Sequence, residues 1–215
     1  MAYTASITPK PISDFTKELV LFYLDKGGII YDPTAGKENY QFQWLNGQKR
    51  FITFDGNKYI YICSDIKPFK HVDFVCDFVN SDIPLKDKSV DLVFYDPPFG
   101  IYARKDKRGE DYNTNISRDM ETWKVYYSKE VLKKFANVSR KWVIVRGQDQ
   151  YCPPASLNFY PFSQIIQSPE DLVLHAIYVY RFSYSRIPLV RARMKRYQRP
   201  ITTHSYTYVY RLKDY

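Results

Sequence analysis

Cysteine is scarce in this 215-residue chain, with three residues at Cys63, Cys76 and Cys152 and none at the paired spacing of a zinc site. Cys63 and Cys76 sit inside apolar runs, which predicts buried free thiols. The glycine-rich dinucleotide fingerprint is also missing. Its nearest counterpart, Asp32-Pro33-Thr34-Ala35-Gly36-Lys37, has one glycine where that motif needs three. There is no signal peptide and no apolar run of membrane-spanning length, so a soluble, cytoplasmic protein with no membrane partner is expected. Repeats, low-complexity tracts and a second-domain boundary are absent as well. One domain over residues 1–215 is therefore expected, with residues 1–10 as a loosely held arm.

What is present is apolar, aromatic and basic. Hydrophobic residues make up 45% and aromatics 18%, enough to exclude a disordered chain. The formal net charge is +9, which favours a polyanionic partner, nucleic acid before any other. The basic residues cluster in two places. Residues 100–117 form a long polar loop carrying Arg104, Lys105, Lys107 and Arg108, and residues 185–200 carry Arg191, Arg193, Lys195 and Arg196 around Tyr197. Basic clusters interleaved with an aromatic suit a phosphate-tracking surface.

The pattern of elements is α/β. From Pro11 the chain predicts a helix with Ile12, Phe15, Leu19 and Phe22 on one face, stopped at Gly27-Gly28. Short apolar runs follow at 29–31, 59–62, 72–76 and 92–95, with Asp55-Gly56-Asn57 as a hairpin turn between 51–54 and 59–62. Residues 41–45 read as either a shortened helix or a loop. Met120, Trp123, Tyr127, Val131 and Phe135 mark one amphipathic helix, and Trp142 to Val145 the next buried strand. Prolines between 150 and 170 predict loops with at most a short helix. The segments 173–184 and 206–212 read as a closing antiparallel hairpin.

Four of these strands end in an acid: Asp32, Asp65, Asp77 and Asp96. One such acid is ordinarily a cap or turn former. Four in succession line a cleft, because ligands bind beyond the carboxyl ends of strands in an open α/β sheet. The last acid heads Asp96-Pro97-Pro98-Phe99. Two prolines end the strand and leave an acid, rigid carbonyls and an aromatic plane at the cleft mouth, which suit a flat, amino-bearing ring.

These residues resemble the class I S-adenosylmethionine-dependent methyltransferases that act on exocyclic amino groups of nucleic-acid bases. Asp96-Pro97-Pro98-Phe99 is similar to their catalytic motif of Asp, Asn or Ser, then Pro-Pro, then an aromatic. Asp32-Pro33-Thr34-Ala35-Gly36 is similar to their first cofactor motif, except that Thr34 replaces an aromatic and Glu38 a glycine. The resemblance implies a Rossmann-like, mostly parallel seven-stranded sheet with helices on both faces and a C-terminal antiparallel hairpin. It implies S-adenosylmethionine as cofactor and no metal. It assigns Asp65 to the cofactor ribose, Asp77 with Phe78 to its adenine, and Pro11 to Phe15 to the neighbourhood of its methionine carboxylate. DNA adenine N6, then cytosine N4, is the implied target. RNA adenine N6 or guanine N2 is the alternative, and a non-catalytic nucleic-acid binder with a degenerate fold is a second. With no segment large enough for target recognition, an accessory specificity partner or a homodimer fits the chain.

Overall fold

The computed structural model describes residues 3–7, 11–37, 39–45, 51–97, 124–151, 159–181 and 204–215. Their strands are β1 (Tyr3–Ile7), β2 (Gly28–Asp32), β3 (Ile52–Phe54), β4 (Asn57–Asp65), β5 (Phe74–Val75), β6 (Val90–Tyr95), β7 (Ser139–Gly147), β8 (Gln150–Tyr151), β9 (Phe159–Tyr160), β10 (Leu172–Arg181) and β11 (His204–Leu212). The helices are α1 (Ile12–Tyr23), α2 (Lys129–Val138) and α3 (Phe162–Ile165). Nine strands form one sheet in the order β1-β10-β11-β7-β6-β2-β4-β3, with β5 also paired to β4. β2, β4, β5, β6 and β7 run parallel, and β11 runs antiparallel to both β7 and β10. The expected sheet of seven with its closing hairpin is therefore present, extended by β3 and β1.

The parallel strands read as continuous apolar runs because both of their faces are covered. Ile30, Leu92, Phe94 and Ile144 pack on one face with Phe15, Leu19, Val20 and Tyr23 of α1. Tyr31, Val93, Tyr95, Val143 and Val145 pack on the other with Val131, Leu132 and Phe135 of α2. Each fully buried Leu, Ile, Val or Phe contributes on the order of 2 kcal/mol of transfer free energy, so the two cores fix the sheet between them. The hairpin joining β3 to β4 turns on Asp55 and Gly56, both at positive φ (48° and 78°). That is the two-residue turn whose twist matches the strands it joins, as Asp-Gly predicts. Cys63 and Cys76 are buried free thiols, and burial pushes the Cys63 thiol up to about 12. No helix of the described residues is long and apolar enough to cross a membrane.

Four expectations about local structure need correction. Residues 3–7, expected in a loose arm, add the edge strand β1, parallel to β10 from Tyr3↔Ala176 to Ile7↔Tyr180. In α1 the buried stripe is Phe15, Thr16, Leu19, Val20 and Tyr23, while Phe22 is 70% exposed. The helix is rotated from the expected phase because its two polar members find partners. Thr16 Oγ1 donates to the Ile12 carbonyl at 3.0 Å, and the Tyr23 and Tyr178 hydroxyls meet at 2.8 Å. The amphipathic segment around residue 127 is not one helix. A single 3-10 turn, Val125–Tyr127, precedes Ser128, whose hydroxyl accepts from Val131 N at 3.3 Å and caps α2. Met120 and Trp123 lie outside the described residues. Finally, 72–77 yields only the two-residue β5.

Candidate functional site

The chain passes from β2 to β4 on one side of the sheet and later to β6 on the other, so β2 and β6 flank the point where strand order reverses. A crevice opens at such a point, beyond the carboxyl ends of the strands. Asp32 closes β2 and Asp96 follows β6, which sets the two acids at the two lips of that crevice.

Asp32 is 1% exposed. One of its oxygens, Oδ1, accepts from Thr34 N at 2.9 Å, and the other, Oδ2, accepts from the Tyr61 hydroxyl at 3.0 Å. Burial pushes its carboxyl from an ordinary 3.8 up to about 7, the Asp96 charge adds to the rise, and the two hydrogen bonds hold it back. Thr34, where the resembled motif has an aromatic, joins the two lips. Its hydroxyl accepts from Asp96 N at 3.0 Å and reaches Asp32 Oδ1 at 3.3 Å. An aromatic ring could make neither bond. Thr34→Val, which keeps the shape and loses the hydroxyl, is expected to cost about 1 kcal/mol or more, a drop of roughly 2–4 °C in melting temperature. Thr34→Ser should restore most of it; calorimetric melting of the two variants measures both effects.

The next acid along the rim, Asp65, closes β4 and also ties the first turn down. Its Oδ2 accepts from Gly36 N at 2.9 Å and its Oδ1 from Lys67 N at 3.0 Å. Gly36 has φ 63°, a left-handed conformation that a side chain resists and that turns this N–H toward Asp65. Asp77 caps its own turn, accepting from Val79 N at 3.2 Å and from the Asn80 side-chain amide at 2.8 Å. The Phe78 ring, expected beside the cofactor, is turned into the core against Tyr95 and Phe135, with centroids at 5.4 and 5.5 Å. Pro11 immediately precedes α1, and its carbonyl accepts from Asp14 N and Phe15 N. Pro33 and Pro97 are buried next to the two acids.

Asp32, Thr34 and Asp96 are thus brought together, with Gly36 and Asp65 bonded to each other at the same end of the sheet. Pro98 and Phe99 fall outside the described residues. So do Glu38, Arg104, Lys105, Lys107, Arg108, Arg191, Arg193, Lys195 and Arg196.

One residue of the site escaped the sequence reading. Arg146 lies near the end of β7, is 1% exposed, and places NH1 3.9 Å from Asp96 Oδ2. Its guanidinium lies over the rings of Phe15 and Tyr180, at 5.9 and 5.3 Å, and NH2 reaches Ser205 Oγ at 3.4 Å. The signal was available: Trp142-Val143-Ile144-Val145 also ends in a charged residue, a base where the other strands have acids.

No protein-family model matches this chain, and no curated relative matches it. Solved structures match by shape. A protein from Galdieria sulphuraria, provisionally named a sarcosine dimethylglycine methyltransferase, is 12% identical, with 93% of this chain and 84% of that one covered and a TM-score of 0.52. A SAM-dependent methyltransferase from Methanosarcina mazei is 8% identical over 90% of this chain and 96% of its own, with a TM-score of 0.47. A protein from Pyrococcus horikoshii, provisionally named an RNA methyltransferase, is 13% identical over 93% and 82%, with a TM-score of 0.45. The strand order and the Galdieria likeness give the same result: the chain has the Rossmann-like α/β fold of the class I methyltransferases.

Proposed function

We propose that this chain is an S-adenosylmethionine-dependent methyltransferase whose acceptor is the exocyclic amino group of a nucleic-acid base, adenine N6 of DNA before cytosine N4. The observation that carries the reading is the pair of strand-end turns at the switch point, with Asp96 heading Pro-Pro-Phe and its backbone anchored by Thr34. Thr34 also bears on the reading of a degenerate fold. The residue that departs from the resembled motif makes a bond that holds the site together.

The crevice suits a cofactor that carries positive charge. Asp32 is buried and held toward its neutral form, a cost that a cation beside it would relieve. Asp65 and the Gly36 turn would face the ribose side, with Ile66, 40% exposed, as an apolar neighbour. Bound there, S-adenosylmethionine supplies an electrophilic sulfonium methyl.

A ring-bound amino nitrogen is a poor nucleophile because its lone pair is delocalised. The Asp96 carboxylate and the Pro97 carbonyl are two acceptors for its two hydrogens. Accepting both draws the nitrogen toward tetrahedral geometry and stabilises the positive charge that grows as the methyl arrives. Phe99 is assigned to stack on the base and set the line of attack. A base inside a duplex must be flipped out to reach this crevice.

Incubating DNA and RNA with isotopically labelled cofactor, then analysing nucleosides by mass spectrometry, tests the reading. Label on adenine N6 is the expected result. Label in no nucleoside, together with no cofactor binding at millimolar concentration, overturns it. The basic runs enter as the nucleic-acid contact. Neutralising Arg191, Arg193, Lys195 and Arg196 together should flatten the salt dependence of binding, lowering the slope of log K against log salt by about 3. An unchanged slope makes that run an ordinary solvated surface.

A further inference from the structure

Arg146 has no part in the chemistry set out above, yet the fold holds it tightly. A guanidinium stays charged even when buried, so placing it in the interior is costly unless charges and rings around it compensate. Asp96, just beyond β6, supplies the charge, Phe15 of α1 and Tyr180 of β10 supply the rings, and Ser205 of β11 adds a hydroxyl partner. The Tyr127 hydroxyl, from the turn before α2, donates to the Arg146 carbonyl at 3.2 Å. The result is a fixed positive charge beside one of the two acids at the crevice.

Those acids are not in equivalent surroundings. Asp32 has a backbone N–H and a phenol as partners and sits in the apolar interior; Asp96 has a guanidinium beside it. The Thr34 hydroxyl bonds both the Asp32 carboxylate and the Asp96 backbone, and the Asp96 charge acts on Asp32, so double ionisation is disfavoured and the proton goes to the acid without the cation. A protonated Asp96 would present a hydroxyl, a donor, to an amino group that needs an acceptor.

We propose that Arg146 is a positioning residue: its guanidinium keeps the Asp96 carboxylate ionised, so that any proton the two acids hold sits on Asp32 and Asp96 remains the acceptor. This rests on the proposed role of Asp96 in amino methylation. Among the described residues, the phenols of Tyr95, Tyr127 and Tyr180 act on Asp96 or Arg146, and the phenols of Tyr31 and Tyr61 and the Cys63 thiol act on Asp32. Burial holds the Tyr61 and Tyr95 phenols well above their ordinary range, so they do not compete for the proton near neutral pH.

The test follows the Asp96 carboxyl carbon by NMR in the full chain labelled with carbon-13 aspartate, with the signal assigned by its loss in Asp96→Asn. In the wild-type chain it should stay at the ionised position from about pH 6 to 9. In Arg146→Gln it should titrate within that range. Methyl transfer by that variant should fall on the order of 10²-fold at the acid end and recover as pH rises, with cofactor affinity little changed. Arg146→Lys, which keeps the charge, should retain most of the activity at every pH. A loss in Arg146→Gln that is the same at all pH values marks a purely structural role and overturns the inference. If that variant does not fold, the wild-type spectrum still decides, because neutral-range titration of Asp96 beside an intact Arg146 overturns the inference alone. Absence of methyl transfer by the wild-type chain, with Asp96 ionised, instead overturns the proposed function.

Discussion

Asp96→Ala is expected to lower methyl transfer on the order of 10³-fold while leaving the cofactor dissociation constant nearly unchanged. The expectation follows from the separation of tasks at the crevice. The turns that would hold the cofactor are tied by Thr34 N to Asp32 and by Gly36 N to Asp65, and neither bond involves the Asp96 side chain. The bond to the Thr34 hydroxyl is donated by the main-chain N–H of Asp96, so it survives the truncation. What disappears is the acceptor that would bear on the amino hydrogens. Asp96→Asn keeps one acceptor oxygen and should retain part of the activity. Isothermal titration with cofactor and single-turnover transfer assays separate the two quantities. Equal loss in both would overturn the proposed catalytic role of Asp96 and assign it to cofactor binding.

The second large effect concerns Asp32. Its carboxyl is pushed up to about 7 in the folded protein, chiefly by burial, against an ordinary 3.8. The folded state therefore binds a proton that the unfolded chain releases between those values. Stability tied to this group is fully present below about pH 4 and is lost as pH rises through about 7, by roughly 4 kcal/mol at the upper limit. Asp32→Asn removes the ionisation and can keep the local bonds. Its amide oxygen still accepts from Thr34 N, and its amide nitrogen can donate to the Tyr61 oxygen, whose own proton turns to Asn39 Oδ1, now 3.1 Å away. The variant should melt higher than wild type at about pH 8 and show no gain near pH 4. It should also bind cofactor more weakly, by about tenfold or more, since a cation then finds no anion at that lip. Wild-type binding near neutral pH should release a proton, visible as a buffer-dependent calorimetric heat, and Asp32→Asn should release none. A variant that melts no higher at about pH 8 shows that Asp32 ionisation costs the fold nothing.

The acid-ended strands were legible in the sequence for a physical reason. A parallel strand covered on both faces must be a continuous apolar run, and the residue that ends it at the ligand edge stands out by contrast. Asp32, Asp65 and Asp96 all emerged that way. The same rule applied to bases would have found Arg146. Apolar periodicity gives the wrong phase for α1 because a buried Thr and a buried Tyr look polar until their partners, Ile12 O and the Tyr178 hydroxyl, are in place. The break at Ser128 is a local contest between a cap and a helix interior, and periodicity does not register it. β1 is hard to read from sequence although Tyr, Thr and Ile favour strands, because the run is only five residues long and its one pairing, with β10, bridges most of the chain length.

Thr34 carries one further consequence. Its hydroxyl bonds both the acid of the first turn and the backbone of the second, so the two turns cannot settle independently. A ligand that orders the Asp32 turn also orders the Asp96 turn, and the two ligands are then linked by one coupling free energy. Whatever factor the first gains from the second, the second gains from the first. On the proposed function, cofactor and acceptor would therefore bind with positive cooperativity, each raising the affinity of the other by the same factor whichever enters first.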